Sequence, residues 1–256
     1  MGNLFRRILS VPYSLYSFTV YFVSLFIMFI ASVLISIFFS KRKAEYYFLR
    51  TLKTWSDTWM FLSGIRYRFV GRENYRRDRS YVMVSNHYSL LDMMTGAVSV
   101  HPNVKVLAKS EIKKVPLFNK LFAMGSVFVD RKSKESREKS KQQLTAAIQR
   151  GMSIFLYPEG TRNRTRKPLK EFYDGAFRIA VEQQTPIMPM VVTNSRSINR
   201  MGSAWLWPGI YEVHFLPAIE TAGLTEENIQ ELKEKTYRVM EETILRFDRW
   251  FSGAVA

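Results

Sequence analysis

Between Ile8 and Ser40 the chain runs for 33 residues without a formal charge, dense in Phe, Ile, Leu, Val and Tyr. As one helix this run reaches about 50 Å, against a bilayer core of roughly 30 Å. It therefore spans a membrane with tilt or lies partly in the interface, and its many serines and tyrosines leave both arrangements open. A cleaved signal peptide fits poorly, because the apolar stretch is far longer than a usual h-region and no small-x-small site closes it. Arg6 and Arg7 precede the run, while Lys41, Arg42, Lys43, Arg50 and Lys53 follow it. That bias predicts a C-terminal side in the cytoplasm.

Residues 44–63 place Phe48, Leu52, Trp55, Trp59 and Leu62 along one helical stripe, with Arg50, Lys53, Thr54, Asp57 and Thr58 opposite. A basic face with two tryptophans suits an interfacial helix and suits equally a helix packed on a domain. Beyond it, short apolar strands alternate with helices. This argues an α/β fold with a mostly parallel or mixed sheet flanked by helices. Two parts are expected: 1–64, hydrophobic and amphipathic membrane-associating helices, and 65–256, a single domain.

Strands are expected at 65–69, 81–84, 104–108, 127–129, 153–157, 186–192 with a break at Pro189, and 210–215. Helices are expected over 90–100, 116–124, 132–149 with Gly151 as the stop, 175–183, and from a Thr225 N-cap to about residue 250. In the last of these Ile229, Leu232, Thr236, Val239 and Ile244 follow helical spacing. Trp205 and Trp207 sit on a loop that suits an interface contact, a lid or buried packing alike.

The chemistry concentrates where strands end. Tyr81-Val82-Met83-Val84 delivers Ser85-Asn86-His87, and Asp92 follows five residues after the histidine. An imidazole can take a proton from a hydroxyl near neutral pH, and a carboxylate can hold its other nitrogen. On an unbroken helix a five-residue step separates two side chains by roughly 140°, so the chain must turn between them. At a helix start, Asp92 also fits a purely structural carboxylate. A second apolar strand ends in Tyr157-Pro158-Glu159-Gly160-Thr161-Arg162, a turn that cannot continue a ladder and that displays a carboxylate and a guanidinium.

These blocks, with Gly125-Ser126-Val127-Phe128-Val129-Asp130-Arg131 between them and Pro186-Ile187-Met188-Pro189 after them, stand in an order that resembles the glycerolipid acyltransferase family over about residues 65–220. Its signature reads Asn-His-x-x-x-x-Asp, Gly-x-x-Phe-x-x-Arg, Phe-Pro-Glu-Gly-Thr-Arg and an apolar run with paired prolines. The resemblance implies an acyltransferase domain preceded by a helical membrane motif. It further implies that Arg131, Glu159, Gly160, Thr161 and Arg162 bind the acyl acceptor, with Lys109 as a further basic contributor. Three positions depart from the family's usual pattern: Tyr157 for Phe, Asn163 for Ser, and Asp174 before Gly175 where a basic residue is common.

With His87 as base and Asp92 orienting it, no serine or cysteine nucleophile is required, and acyl transfer proceeds through one tetrahedral intermediate. The expected reaction moves a fatty acyl group from acyl carrier protein or coenzyme A, as co-substrate, to the hydroxyl of lysophosphatidate. Related acceptors are another lysophospholipid, a lyso-aminolipid or glycerol 3-phosphate; a non-enzymatic binder of anionic lipid would have no use for the His87–Asp92 pair. The chain has no cysteine, which excludes thiolate chemistry and disulfides, and no metal site or cofactor is expected. Net charge is +16, with 30 lysines and arginines against 11 carboxylates up to residue 172 and 8 against 11 beyond it. The motif-bearing part is thus the basic part, suited to a bilayer surface, a phosphate-bearing acceptor and an acidic carrier or coenzyme A. Nucleic acid also favours such charge but has no need of the N-terminal apolar run.

Overall fold

The computed structural model describes residues 2–89, 91–92, 103–111, 124–199 and 205–251. Most of the helices expected over 90–100 and 116–124 lies outside these residues.

The uncharged run forms one helix, α1 (Gly2–Phe38), and the amphipathic segment forms α2 (Lys41–Leu62). α1 turns Ser10, Ser14, Ser17, Tyr21, Leu25, Met28 and Ser32 inward, at steps of three and four residues, so a single stripe is buried. Four of these seven are serines, whose small side chains let helix backbones approach closely. The opposite face stays bare, with Leu15, Phe22, Phe26, Ile30 and Ile37 exposed. Ile8–Phe38 is the one helix among the described residues long and apolar enough to cross a membrane.

α2 is a packed helix. Phe48, Leu52, Trp55 and Trp59 are buried, and the two indoles donate inward, Trp55 Nε1 to Ser24 Oγ at 3.0 Å and Trp59 Nε1 to Ser17 O at 3.1 Å. Leu62, expected on the same stripe, is exposed. Glu45 of α2 pairs with Lys105 of the sheet, so charge as well as apolar area docks the helix.

Seven strands follow: β1 (Ile65–Val70), β2 (Val82–Ser85), β3 (Val104–Lys109), β4 (Ser126–Val129), β5 (Ser153–Leu156), β6 (Ile187–Thr193) and β7 (Gly209–Phe215). They form one sheet in the order β1-β7-β6-β2-β5-β3-β4. From β6 to β4 all neighbours are parallel; β7 runs antiparallel to β6, and β1 parallel to β7. The sheet is therefore mixed. β2, β5 and β6 are buried at every position, as strands covered on both faces must be. The helices α3 (Lys134–Gln149), α4 (Gly175–Glu182), α5 (Ser195–Ile198) and α6 (Ile229–Phe247), with two single 3-10 turns, Arg72–Asn74 and Glu226–Asn228, complete the described elements.

Two further details differ from expectation, and a third fills in what the sequence left open. Pro189 does not break β6, because β7 pairs with β6 only from Met190 onward, and the Pro189 carbonyl still accepts Leu216 N–H at 3.0 Å. The missing N–H of proline thus falls where the ladder has already ended. In α6, Met240 rather than Val239 is buried. Between Trp205, which is exposed, and Trp207, which is half-buried, Leu206 is the buried anchor: its N–H donates to Ser14 Oγ of α1 at 2.7 Å.

Because β2, β3, β4 and β5 run parallel, their carboxyl ends open on one edge, where ligand sites of open α/β sheets form. We expect Trp59→Ala to cost about 3–5 kcal/mol by leaving a cavity under α2. The neighbouring exposed residue serves as control: Phe61→Ala should change stability by less than about 1 kcal/mol. Thermal unfolding of both variants in the same detergent checks this.

Candidate active site

His87 follows the end of β2 outside any helix or strand, and the helical turn that carries Asp92 begins only after Ser89. This supplies the turn that the five-residue spacing demands. Ser89 Oγ accepts Leu91 N–H at 3.0 Å as an N-cap, and Asp92 Oδ2 reaches back to Ser89 N–H at 2.7 Å. The same oxygen accepts Tyr88 N–H at 2.6 Å and faces His87 Nδ1 at 3.2 Å. Asp92 is thus a helix-start carboxylate and a histidine partner at once. Its other oxygen accepts the hydroxyl of Tyr211, on β7, at 2.9 Å. A carboxylate only accepts, so it directs the proton to Nδ1 and leaves Nε2 with a lone pair.

The neighbouring strand end locks the histidine from the other side. Glu159 Oε1 accepts His87 N–H at 3.0 Å and Oε2 accepts Lys170 N–H at 2.9 Å. The His87 carbonyl accepts Asn163 N–H at 2.6 Å. Tyr157 lies over the imidazole with ring centroids 4.1 Å apart and planes 18° from parallel, and its hydroxyl donates to the Asp92 carbonyl. Asn86 fastens β2 to β6 by a two-way amide pairing with Val192, at 2.8 and 2.7 Å.

Burial shifts the charges here. Glu159 is 1 % exposed, and desolvation pushes its carboxyl up to about 7 against the pull of its two N–H donors. Burial also lowers the guanidinium of Arg131 from its usual range.

The structure joins His87, Asp92 and Glu159 directly and ties Arg131 to Gly160, whose carbonyl accepts from Arg131 Nη1. Gly160 has φ +75°, and a Cβ there would stand 2.6 Å from Arg131 Nη1 and 2.7 Å from the Tyr173 ring. Only glycine fits that approach. Thr161 Oγ1 accepts Lys170 Nζ at 2.7 Å. Arg162 is half-buried and makes no hydrogen bond or ion pair to the described residues. Lys109, at the end of β3, is exposed and pairs with Glu111 at 2.6 Å, apart from the cluster. Asp174 is taken up by Lys233 of α6 at 2.7 Å, so that departure from the family pattern serves helix packing. Asn163 braces its own loop, accepting Thr165 N–H at 2.9 Å and donating to Lys167 O at 3.0 Å.

Sequence reasoning missed Tyr211, Ser89 and Arg196. The guanidinium of Arg196 is buried 3.9 Å over the Tyr88 ring. Tyr211 reads as one more strand aromatic, and Arg196 as one more surface cation. Ser89 alone carried a signal, the Ser-x-x-Asp spacing. Among the described residues no three His, Asp or Glu side chains gather as metal ligands.

A buried imidazole oriented by a carboxylate, at the carboxyl ends of parallel strands, has the geometry for taking a proton from a hydroxyl. The family described as Acyltransferase matches residues 66–193. A 1-acyl-sn-glycerol-3-phosphate acyltransferase of Saccharomyces cerevisiae is 29% identical over 218 residues, 84% of this chain and 71% of its own length. The beta form of that enzyme from Homo sapiens is 30% identical over 74% of this chain and 68% of its own length. A crystal structure of the 1-acyl-sn-glycerophosphate (LPA) acyltransferase of Thermotoga maritima shares the fold, with TM-score 0.73, 23% identity and coverage of 96% of this chain and 97% of that one. The chain belongs to the acyltransferase family.

Glu159 sets a pH dependence of stability. Its folded pKa, about 7, lies above the ordinary 4.5, so its contribution is full below about pH 4.5 and is lost as pH climbs through 7. The full span corresponds to about 3 kcal/mol. We expect the thermal midpoint to fall between about pH 5 and about pH 8.5, and Glu159→Gln to flatten that decline.

Proposed function

We propose that this chain transfers a fatty acyl group from a thioester, carried on acyl carrier protein or coenzyme A, to the free hydroxyl of lysophosphatidate, giving phosphatidate. The acceptor follows the names of its relatives in yeast and human. The observation that carries the reading is the His87–Asp92 pair, a ring nitrogen held at 3.2 Å by a carboxylate that three further donors fix in place.

In this reading His87 Nε2 takes the hydroxyl proton as the acceptor oxygen attacks the thioester carbonyl. The new C–O bond forms while the carbonyl electrons move onto oxygen. Collapse restores the carbonyl and breaks the C–S bond, and the imidazolium returns its proton to the departing thiolate. Atoms and protons balance without a further reactant. Asp92 keeps the ring oriented and stabilises its cationic form.

Arg131 and Arg162 bind the acceptor phosphate, for which the planar guanidinium is suited. Glu159, Gly160 and Thr161 shape the turn that presents them, and the exposed Lys109 adds positive potential at the same sheet edge. Residues 1–64 form the membrane-associating part, with the bare face of α1 against lipid, and 65–256 the catalytic part. The basic residues that follow α1 favour a cytoplasmic side for the catalytic part.

Transfer of a labelled acyl group to lysophosphatidate in detergent micelles tests this. His87→Ala should lower kcat by at least about 10²-fold while vesicle binding and the melting transition persist. An unchanged rate removes the base. Arg162→Ala should raise KM for lysophosphatidate about tenfold or more, with a smaller effect on kcat. If the native chain makes no product, a panel of other lyso-lipid acceptors separates a wrong headgroup from a wrong reaction.

A further inference from the structure

We propose that Tyr157, which stands where the family usually has phenylalanine, is a positioning residue for the base: its ring face stabilises the protonated His87 and its hydroxyl anchors the turn that carries Asp92. The inference rests on the reading of His87 as general base. Two independent contacts support it. The phenol ring lies nearly parallel to the imidazole at 4.1 Å, so its electron-rich face meets the ring that becomes cationic during the reaction. Its hydroxyl donates to the main-chain carbonyl of Asp92, the residue whose carboxylate holds Nδ1. One side chain thereby touches the base on its face and the orienting residue through its backbone. A phenylalanine supplies the first contact and not the second.

The groups around the imidazole define what the substitution isolates. Asp92 faces Nδ1, and Tyr211 of β7 stands behind that carboxylate. Glu159 holds the His87 N–H. Arg196 of α5 lies across the Tyr88 ring, whose hydroxyl is occupied by the Pro168 carbonyl. The Tyr157 hydroxyl meets this set at the Asp92 carbonyl. Burial raises the Tyr157 hydroxyl well above its ordinary value, so it remains a donor through neutral pH.

The test uses the full chain in detergent micelles, with kcat and KM measured across pH for the native protein, Tyr157→Phe, Tyr157→Leu and His87→Ala. Loss of the ring face destabilises the imidazolium, so the unprotonated base persists to lower pH. Tyr157→Leu should move the acid limb of the rate profile down by roughly half a unit to one unit and lower kcat about tenfold or more. Tyr157→Phe should leave the limb in place and lower kcat about threefold to tenfold with acceptor KM unchanged. A limb that moves in the leucine variant and stays in the phenylalanine variant belongs to the stacked imidazole. A folded Tyr157→Leu protein with an unmoved limb overturns the inference even if its rate falls, because loose packing alone gives that result. A Tyr157→Phe protein with native kcat overturns the role of the hydroxyl. An active His87→Ala chain removes the base itself, whereas an inactive one beside an unmoved Tyr157→Leu profile removes only the role of Tyr157.

Discussion

The Asp92 carboxylate is the interaction on which this site depends. Tyr88 N–H, Ser89 N–H, the Tyr211 hydroxyl and His87 Nδ1 all converge on its two oxygens. A carboxylate with no solvent exposure is costly unless its oxygens are occupied. Here the occupants come from the loop that carries the histidine, from the helix start and from a strand two positions across the sheet. Desolvation thus enforces geometry: a rotamer change at Asp92 leaves several buried donors unpartnered at once. The imidazole needs no strain of its own to be held, because its partner cannot move.

Glu159 applies the same logic to the neighbouring loop with a different outcome. It too is buried and accepts two main-chain N–H groups, from His87 and Lys170. Two N–H donors do not offset the loss of water, and its carboxyl rises toward neutrality. The gain is architectural. One side chain fixes the spacing between the strand that delivers His87 and the loop that carries Thr161 and Arg162. Gly160 lets Arg131 reach the backbone of that turn, so residues from β2, β4 and β5 share one rigid cluster.

Much of this was legible before any coordinates. Strand ends were visible because apolar runs stop at residues unable to continue a ladder, and the four motif blocks fell at those ends. The membrane-length helix was visible because 33 uncharged residues leave few alternatives. What escaped were side chains whose meaning depends on a distant partner. Tyr211 lies 119 residues from Asp92 and carries no local mark of that contact. Tyr157 reads in the sequence only as a departure from phenylalanine, since periodicity describes which face a ring takes and not where its hydroxyl ends. The orientation of Trp55 and Trp59 was ambiguous for a related reason: an amphipathic stripe states that one face is covered without naming the cover. Pro189 misled because a proline was weighed as a strand breaker before the pairing of its N–H side was known.

The N-terminal helix and the histidine are joined by a short chain of contacts, which gives the fold a functional unity that sequence division obscures. Ser14 of α1 accepts Leu206 N–H and donates to its carbonyl. One residue on, Trp207 N–H reaches the Ile198 carbonyl at the end of α5. The next residue, Asn199, accepts the Ser89 hydroxyl at 3.0 Å, and Ser89 is the N-cap whose N–H binds Asp92. Each link is a hydrogen bond at a buried or half-buried position, where a broken partner costs about 1–3 kcal/mol. The apolar helix is therefore held in register with the turn that carries His87 and Asp92. On the proposed function that coupling has a use, because it fixes the position of the proposed base relative to the bare apolar face of α1.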